Sequence, residues 1–365
     1  MALTRLNIDA VRNLRQVRIA ELGAANVFYG PNGAGKTSVL EAVHVLGMAR
    51  SFRGNSVKSL INHEAERCTV FGEVQGKGGL QPLGVQRSRD GQAEIRVAKE
   101  TVRTVAELAE HLPLQVINAS SFDLLTGSPH ARRQYLDWGV FHVEHRFFGQ
   151  WQRFQRCIKQ RNKLLRHGKI PPQEIAVWSR ELAQAGQAID SYRREYFSQL
   201  VPLFSEIMAE LAPRLEGLEI RYRSGWEKDK DYAEALEASL ATDMEQGYTH
   251  VGPQRADIRV LQGRHPAADV LSRGQQKLVV CGLKLAQGRL LGKLTGSPCT
   301  YLVDDLPSEL DKEHCSQVCQ QLDALRAQVF ITCVEAEDIA SVWPSASSLT
   351  MFHVEHGSVS GPGKH

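Results

Sequence analysis

The decisive stretch is the octapeptide Gly30-Pro31-Asn32-Gly33-Ala34-Gly35-Lys36-Thr37, which fits the phosphate-binding pattern G-x-x-x-x-G-K-[ST] in full. Residues 24–29 before it form an apolar run that predicts a strand, and residues 37–48 after it carry apolar side chains at helical spacing. Glycines let the backbone curl until several N–H groups face one anion, and the helix that follows adds its positive end. An ordinary glycine turn is the alternative, but a turn does not require the complete pattern between a strand and a helix.

All eight residues of this loop are therefore candidates for binding ATP. We expect Lys36 to reach the β- and γ-phosphates and the Thr37 hydroxyl to bind Mg²⁺. Hydrolysis also needs a second carboxylate site, and Tyr301-Leu302-Val303-Asp304-Asp305 supplies acids directly after a buried strand. Asp304 is the expected Mg²⁺ ligand, and Asp305 is placed to orient or deprotonate the attacking water. The same two acids could instead cap the next helix.

A polar segment, which we call the tip, precedes the apolar run Leu278-Val279-Val280 and has the sequence Leu271-Ser272-Arg273-Gly274-Gln275. Ser272 can cap a helix there, so the N–H groups of Arg273, Gly274 and Gln275 would form another anion site. The chain already has one phosphate loop. This tip is therefore useful if it covers the γ-phosphate of ATP held by a second copy. A simple capped helix is the alternative.

Composition sets only broad limits. The chain has 365 residues and a net charge of +3, which is too small to imply nucleic acid by itself. Its seven cysteines are scattered without close Cys-x-x-Cys spacing, which indicates reduced thiols. The N-terminus lacks a signal-peptide core, and no apolar run is long enough to span a bilayer. We expect a soluble, cytoplasmic protein.

The layout along the chain predicts an α/β ATPase domain that is split in sequence. Residues 1–125 and 248–365 carry strand and helix patterns, with an antiparallel β subdomain around residues 69–97. Residues 126–247 carry apolar residues at helical spacing over long stretches, which predicts an inserted α-helical lobe.

The start of the helical lobe carries only positively charged residues over a long stretch. From residue 146 to Lys169 there are eight basic residues and no Asp or Glu, which suits contacts with DNA phosphates that weaken with salt. The alternative is a solvated helix face, although such faces usually alternate in sign. No base-reading motif appears, so we expect binding without sequence specificity. The DNA-binding candidates are Arg153, Arg156, Lys159, Arg161 and Lys163, followed by Arg50, Arg53, Arg87 and Arg89.

The pentapeptide Phe-His-Val-Glu-His occurs at residues 141–145 and again at residues 352–356. The contexts predict a helix for the first copy and a strand for the second, so a structural repeat is not expected. Two histidines three apart could bind metal, but core or exposed histidines are far commoner. Phe-His-Val-Glu can also be encoded by TTC-CAC-GTG-GAA, which is its own reverse complement. We hypothesise that the repeat records a DNA-level site.

Several motifs together resemble the RecF family of SMC-like, ABC-type ATPases. Residues 271–275 are similar to the ABC signature, and residues 304–311 are similar to the Walker B motif and D-loop of that family. Further matches cover residues 3–54, 132–138, 159–162 and 250–255, so the resemblance runs through nearly the whole chain in order. The chain departs from the pattern at Gln254, where His is frequent, and at Pro307.

The resemblance implies an ABC-type ATPase head that dimerises with ATP on duplex DNA near single-strand gaps in recombinational repair. It also implies RecR as a partner, with RecO and RecA in the same pathway, and no membrane. By this resemblance Gln115 is a Q-loop residue that links the Mg²⁺ site to the helical lobe. Ser308 and Asp311 would be D-loop contacts across the dimer. Asp305 in place of Glu and Cys333 in place of a switch His predict slow hydrolysis.

Two other functions fit a phosphate-loop protein. A soluble ATPase subunit of a transporter would require Glu at position 305 and His after Thr332, and this chain has neither. An SMC-like nuclease-associated head would require a long coiled coil with a zinc hook. The helical insert here is short and has no Cys-x-x-Cys.

Overall fold

A computed structural model describes residues 2–54, 56–76, 78–166 and 172–361. The strands, in chain order, are β1 (Ala2–Val11), β2 (Leu14–Ile19), β3 (Ala25–Tyr29), β4 (Arg67–Gly76), β5 (Gly79–Ser88), β6 (Ala93–Val97), β7 (Glu100–Thr101), β8 (Leu114–Ile117), β9 (Leu218–Arg223), β10 (Asp257–Gln262), β11 (His265–Pro266), β12 (Thr300–Val303), β13 (Val329–Cys333), β14 (Leu349–Glu355) and β15 (Ser358–Ser360).

The helices are α1 (Lys36–Met48), α2 (Val57–Leu60), α3 (Val105–His111), α4 (Asp123–Thr126), α5 (Pro129–Val143), α6 (Arg146–Arg166), α7 (Pro172–Leu211), α8 (Tyr232–Ala238), α9 (Leu240–Gln246), α10 (Ala267–Val270), α11 (Arg273–Thr295), α12 (Leu306–Glu309), α13 (Lys312–Ala324) and α14 (Glu337–Ala340). Short 3₁₀ turns lie at Ala119–Phe122, Pro253–Arg255 and Ala346–Ser348.

The chain divides into two compact units, and the first consists of Met1–Ser121 with Lys277–His365. It contains two six-stranded sheets. One is antiparallel, in the order β2-β1-β4-β5-β6-β7, and includes the expected meander. The other has the order β15-β14-β3-β13-β12-β8, in which all neighbours pair in parallel except β15 with β14. The predicted α/β fold with an antiparallel β subdomain is confirmed.

Helix α1 lies in the core of this unit and is buried over almost its whole length. It contacts β1, β4 and β5 of the antiparallel sheet and β12 and β13 of the parallel sheet. Apolar side chains of both sheets join it in one cluster that includes Leu6, Val43, Val70 and Phe330. The start of α1 is thereby fixed against two sheets at once, and the phosphate loop ends at that start.

The second unit, Phe122–Gln276, contains the long helices together with the small sheet β11-β10-β9. We expected the helical lobe to end at residue 247, whereas the compact unit continues to Gln276. The reason is strand pairing: β10 forms a six-residue antiparallel ladder with β9, from Asp257 opposite Arg223 to Gln262 opposite Leu218. Residues 248–276 therefore pack with the helices that precede them in sequence.

A buried ion pair stabilises the second unit. Arg161 in α6 and Asp243 in α9 are both fully buried, and the Arg161 Nη1 lies 2.7 Å from the Asp243 carboxylate. Arg161 also donates to Ser179 and Thr249, and Asp243 accepts from the backbone and ring of His250. A buried charge without its partner is strongly destabilising, so each residue requires the other.

Replacing Asp243 with Ala should lower the free energy of unfolding by roughly 3–5 kcal/mol, because the Arg161 guanidinium would stay buried without a counter-charge. Urea denaturation followed by circular dichroism measures the loss. The matched control is Glu219→Ala, which removes the exposed pair with Arg221 and should cost less than about 1 kcal/mol. Equal losses in the two variants would contradict the assignment of Arg161 to the structural core.

Candidate nucleotide-binding site

The phosphate loop follows β3 and ends at α1, and its glycines have conformations that other residues rarely adopt. Gly30 has φ +144°, and a Cβ there would stand 2.2 Å from the Val354 carbonyl oxygen. Gly35 has φ +120°, and its Cβ would meet Leu14 and Asn13. Both positions require glycine because positive φ and close packing coincide. The loop therefore has the curled backbone that its sequence predicts.

Lys36 is the first residue of α1, and only 8% of it is exposed. Its Nζ donates to the carbonyl oxygens of Gly30 and Pro31, at 2.7 and 3.0 Å. These bonds fold the side chain back over its own loop and hold the ammonium against the loop backbone. A cation in that position lies where a phosphate group on the loop would contact it.

Thr37 and Asp304 are 267 residues apart in sequence and meet in the structure. The Thr37 hydroxyl donates to the Asp304 carboxylate at 2.9 Å, and the Thr332 hydroxyl donates to the same oxygen at 2.8 Å. Asp304 directly follows β12, Thr332 is near the end of β13, and Thr37 follows the phosphate loop that begins after β3. These strands are parallel and adjacent in the order β3-β13-β12. A hydroxyl beside a carboxylate gives the hard oxygen donors that Mg²⁺ prefers.

Asp305 lies beside this cluster in a left-handed conformation with φ +55°. Its backbone N–H donates to the Thr332 hydroxyl at 2.9 Å, and its side chain lines the same cavity as Lys36 and Thr37. A positive φ at a non-glycine residue is sparsely populated and often marks a functional site. Asp305 therefore lies at the cavity and makes no side-chain cap hydrogen bond to α12.

Three residues of the site do not stand out in the sequence. Asn13 donates to the carbonyl oxygens of Gly33 and Ala34 and accepts from Ser38, so it fastens the loop to the β1–β2 turn. Arg12 makes two hydrogen bonds, at 2.7 and 2.9 Å, to the fully buried Glu41 of α1. Thr332, whose hydroxyl donates to Asp304 and accepts from the Asp305 N–H, is the third such residue. An Asn after a strand is a general turn signal, and nothing in the sequence connects these residues to the loop.

These residues line an open cavity of about 970 Å³, at the upper end of the usual size for a small-molecule site. Six lysine and arginine side chains face it, against two carboxylates. Arg12 and Arg15 are paired with Glu41 and Glu64. Arg53 and Lys58 have no acidic partner among the described residues. The cavity is therefore electropositive, which suits a polyphosphate.

Gln115 does not reach this cluster, contrary to our expectation. It is 2% exposed, and its amide donates at 2.7 Å to Gln287 in helix α11, which is also buried. Gln115 pairs with Tyr301 in the ladder between β8 and β12, two residues before the strand ends. Ile117, at the end of β8, is the residue whose carbonyl oxygen accepts from the Asp304 N–H. The amide of Gln115 therefore forms part of the buried core.

The tip with residues 272–275 is exposed and starts helix α11. Ser272 and Gln275 form a reciprocal pair: the Ser272 hydroxyl accepts from the Gln275 N–H, and the Gln275 side chain accepts from the Ser272 N–H. A Cβ added to Gly274 would meet no atom within 4 Å, and its φ is not positive. The fold of this chain therefore gives no reason for glycine at position 274.

The two expected D-loop residues flank helix α12. Ser308 is exposed, and its N–H bonds to the Asp305 carbonyl oxygen. Asp311 caps α13 by accepting from the His314 backbone and ring, and these bonds hold the pKa of its carboxyl below the usual value. Both residues are on the surface of the first unit, beside the residues that follow β12.

The structure separates the basic candidates on α6 into two groups. Arg161 is fully buried against Asp243, and Arg153 is bound to Glu181 in α7. Arg161 is therefore a structural residue, and its prediction as a DNA contact is wrong, because no ligand can touch it without unfolding the unit. Lys169 lies outside the described residues. The remaining cations are exposed and have no acidic partner in the described part of the chain: Arg156, Lys159, Lys163 and Arg166.

These four residues, which we call the basic stripe, are spaced three and four apart and so lie along one face of α6. Gly149 and Gln152 extend the same exposed face toward the start of the helix. Glycine inside a helix costs roughly 1 kcal/mol relative to alanine. A Cβ on Gly149 would meet nothing within 4 Å, so packing in this chain does not explain that residue.

Two further features limit other types of site. No helix in the described ranges is long and apolar enough to cross a membrane. Within the same ranges, no group of three or more His, Cys, Asp and Glu side chains has the arrangement of a metal site.

Comparisons with known sequences cover nearly the whole chain. The family described as the RecF/RecN/SMC N-terminal domain matches residues 2–359. The DNA replication and repair protein RecF of Pseudomonas aeruginosa (strain UCBPP-PA14) is 51% identical over 361 residues, which is 99% of this chain and 98% of that protein. RecF of Pseudomonas fluorescens (strain Pf0-1) is 50% identical over 360 residues, covering 98% of each chain.

Solved structures give the same result. A structure of the recombination mediator protein RecF with ATP, in the RecFOR pathway, superposes with a TM-score of 0.87 at 25% identity over 99% of this chain and 97% of that one. An Smc head bound to the C-winged helix domain of ScpA superposes with a TM-score of 0.59 at 13% identity, over 98% of this chain and 96% of that one. At that identity the likeness supports the fold alone. The chain therefore belongs to the RecF family of DNA replication and repair proteins.

Proposed function

We propose that this RecF-family DNA repair protein is an ATP-dependent DNA clamp, in which ATP joins two copies on duplex DNA and slow hydrolysis releases them. The observation that carries the proposal is the contact between Thr37 and Asp304, beside Lys36 and at the mouth of an electropositive cavity. It brings together the expected phosphate and metal ligands. The chain is an ATPase of the RecF and SMC-like type.

ATP fits the cavity by charge and by donor geometry. The curled loop and the start of α1 present backbone N–H groups to the phosphates, and Lys36 adds a cation that is already held in the loop. Thr37 and Asp304 would hold Mg²⁺, and phosphate and water oxygens would complete its coordination shell. The metal supplies neutralisation of the charge that develops on the phosphates during transfer.

Asp305 is the residue that we assign to the attacking water. Asp305 lines the cavity, and its backbone N–H donates to the Thr332 hydroxyl. Asp is shorter than Glu by one methylene, and Thr332 is followed by Cys333, which is buried and cannot act as a switch histidine. An incomplete set of hydrolytic groups predicts slow turnover, so ATP hydrolysis would time release and would not drive movement.

A second copy would complete the site. The N–H groups of Ser272 and Gln275 are bonded to each other's side chains, which leaves those of Arg273 and Gly274 at the exposed start of the helix. The absence of a side chain at Gly274 leaves room for a close approach. We infer that this tip meets the γ-phosphate bound by the other copy, with Ser308 and Asp311 as neighbouring contacts. ATP would then bind two copies together, and hydrolysis would separate them.

DNA contact is assigned to the basic stripe of α6. Four exposed cations along one face, without acidic partners among the described residues, suit the phosphates of duplex DNA. Gly149 allows the DNA backbone to come close to the helix. Phosphate contacts alone carry no sequence information, which fits a clamp that binds near single-strand gaps at any sequence. RecR, with RecO and RecA in the same pathway, would be the protein partners, and the cytoplasm the expected location.

Lys36→Ala should lower the affinity for Mg²⁺-ATP by about tenfold or more, because the cation held over the loop is lost. Isothermal titration calorimetry measures this change. Lys58→Ala is the matched control: Lys58 lines the same cavity at a position away from the loop, and its loss should change affinity less than about threefold, as expected for a screened charge. Equal affinity of wild type and Lys36→Ala would remove the basis for the nucleotide site.

Ser272→Arg should bind ATP normally but fail to dimerise, because the added side chain fills the space in front of Gly274. Sedimentation velocity with Mg²⁺ and a slowly hydrolysed ATP analogue measures the dimer. Ser272→Ala is the control. It removes the same capping hydroxyl, at a cost of about 1 kcal/mol, without adding bulk, and it should still dimerise. Dimerisation of Ser272→Arg at the wild-type level would exclude this tip from the interface.

Lys163→Glu should weaken duplex binding in the ATP state and reduce the slope of log K against log salt by about 1, since one phosphate contact is lost. Fluorescence anisotropy at several salt concentrations measures both changes. Lys228→Glu makes the same charge change at an exposed position of the second unit outside the basic stripe. If Lys228→Glu weakens binding as much as Lys163→Glu, the stripe is not the DNA site.

A further inference from the structure

The repeated pentapeptide Phe-His-Val-Glu-His has no common role in the structure. Repeats kept for structural reasons encode the same local unit. Here residues 141–143 end helix α5 and residues 144–145 lead into α6, whereas residues 352–355 belong to strand β14 and residue 356 is in the turn that follows. The same pentapeptide therefore has mainly helical backbone in one copy and extended backbone in the other.

The first copy lies in the second unit, among aromatic side chains. Phe141 packs edge-on against Phe148 at 5.9 Å, and His142 packs against Trp138 at 4.5 Å. Desolvation lowers the pKa of His142 to about 4. Glu144 binds the neighbouring Arg146. His142 is thus a neutral, packed side chain, and Glu144 is a local partner for the start of α6.

The second copy lies in the first unit, at the parallel sheet. Phe352 is buried and stacks on Phe28 at 4.9 Å, and Val354 is buried with its carbonyl oxygen against Gly30. His353 is half-buried beside Tyr29, while the side chains of Glu355 and His356 are exposed, with 58% and 92% of their surface accessible. The two copies differ in backbone and in surroundings, so protein chemistry does not explain why the same pentapeptide occurs twice.

The genetic code supplies an explanation that the fold does not. A self-complementary spelling requires the Phe codon to be the reverse complement of the Glu codon, and the His codon to be that of the Val codon. Phe and Glu meet this condition as TTC and GAA, and His and Val meet it as CAC and GTG. The order Phe-His-Val-Glu therefore has a single self-complementary spelling, TTC-CAC-GTG-GAA.

The flanking residues extend the symmetry. His145 and His356 follow the two copies, and every His codon begins with CA. A symmetric site then requires TG at the end of the preceding codon, which only Met, Val and Leu codons provide. The preceding residues are Val140 and Met351, which differ from each other and both meet the requirement. Both copies can thus carry TG-TTC-CAC-GTG-GAA-CA, a palindrome of sixteen nucleotides.

We propose that the coding sequence of this protein contains two copies of this palindrome, and that each is a binding site for a sequence-specific DNA-binding protein with two-fold symmetry. A palindromic site presents the same base edges to each half of a symmetric dimer, because operator symmetry mirrors protein symmetry. Each half-site offers G and C edges in the major groove, where every base pair can be distinguished.

This chain is not the reader of the palindrome. Its basic stripe is suited to phosphates, which carry no sequence information, and its sequence has no base-reading motif. The partner is therefore a separate dimeric protein that binds duplex DNA. The inference is independent of the proposed clamp, since it depends only on the repeat and on the code.

The test begins with the codons of the gene, which should read TG-TTC-CAC-GTG-GAA-CA in both copies. Any other codon for Phe, His, Val or Glu in either copy would overturn the proposal. The second step recodes both copies on the chromosome to TTT-CAT-GTT-GAG, which leaves the protein unchanged. Footprinting in cells with dimethyl sulfate should show protection of guanines at both native copies and none at the recoded copies.

A matched control recodes the codons of residues 146–150 synonymously and leaves the palindrome intact, so protection of the first copy should persist. Purified protein from the native and recoded genes is identical, and ATP affinity measured in parallel verifies that the protein is unaffected. Absence of protection at the native copies, or protection that survives recoding of the palindrome, would show that no protein reads this symmetry.

Discussion

The hydrogen bonds that Thr37 and Thr332 donate to Asp304 are the contact on which the nucleotide site depends. They are possible because β3, β13 and β12 are consecutive parallel strands, so their carboxyl ends meet at one edge of the sheet. Residues from three distant parts of the chain arrive there together. The packing of α1 between two sheets fixes the position of Thr37, and the ladder between β12 and β13 fixes Asp304 relative to Thr332.

Charge has different roles in different parts of this protein. Arg161 and Lys163 are two residues apart on α6. Arg161 is buried in an ion pair with Asp243, whereas Lys163 is exposed to solvent. In the first unit, Arg12 is tied to the buried Glu41, while Lys36 remains within its own phosphate loop. A cation that is paired with a buried carboxylate is structural, whereas an exposed one remains available to an external anion. Lys36 is also buried, but it bonds to neutral carbonyl oxygens, so a fixed counter-charge and not burial separates structural cations from candidate ligand-binding ones.

The glycines can also be divided into those that the fold of the chain requires and those that it does not. Gly30 and Gly35 are explained by the chain itself, because positive φ and neighbouring atoms exclude any side chain. Gly149 and Gly274 are exposed, have open space at the missing Cβ and sit in helices, where glycine is unfavourable. Packing within the described part of one copy does not explain them. Both belong to surfaces that the proposed clamp would use, one for DNA and one for the second copy.

The sequence alone determined the fold class, the phosphate loop, the acidic strand end at Asp304 and the exposed tip at Ser272. These features are local: a complete motif between a strand and a helix, or a polar cap before an apolar helix, has the same meaning wherever it occurs. Tertiary structure decided the rest. It buried Arg161, turned Gln115 toward Gln287, brought Asn13 and Thr332 to the site and paired β10 with β9. Those outcomes depend on which distant side chains pack together, and spacing along one chain does not encode that information.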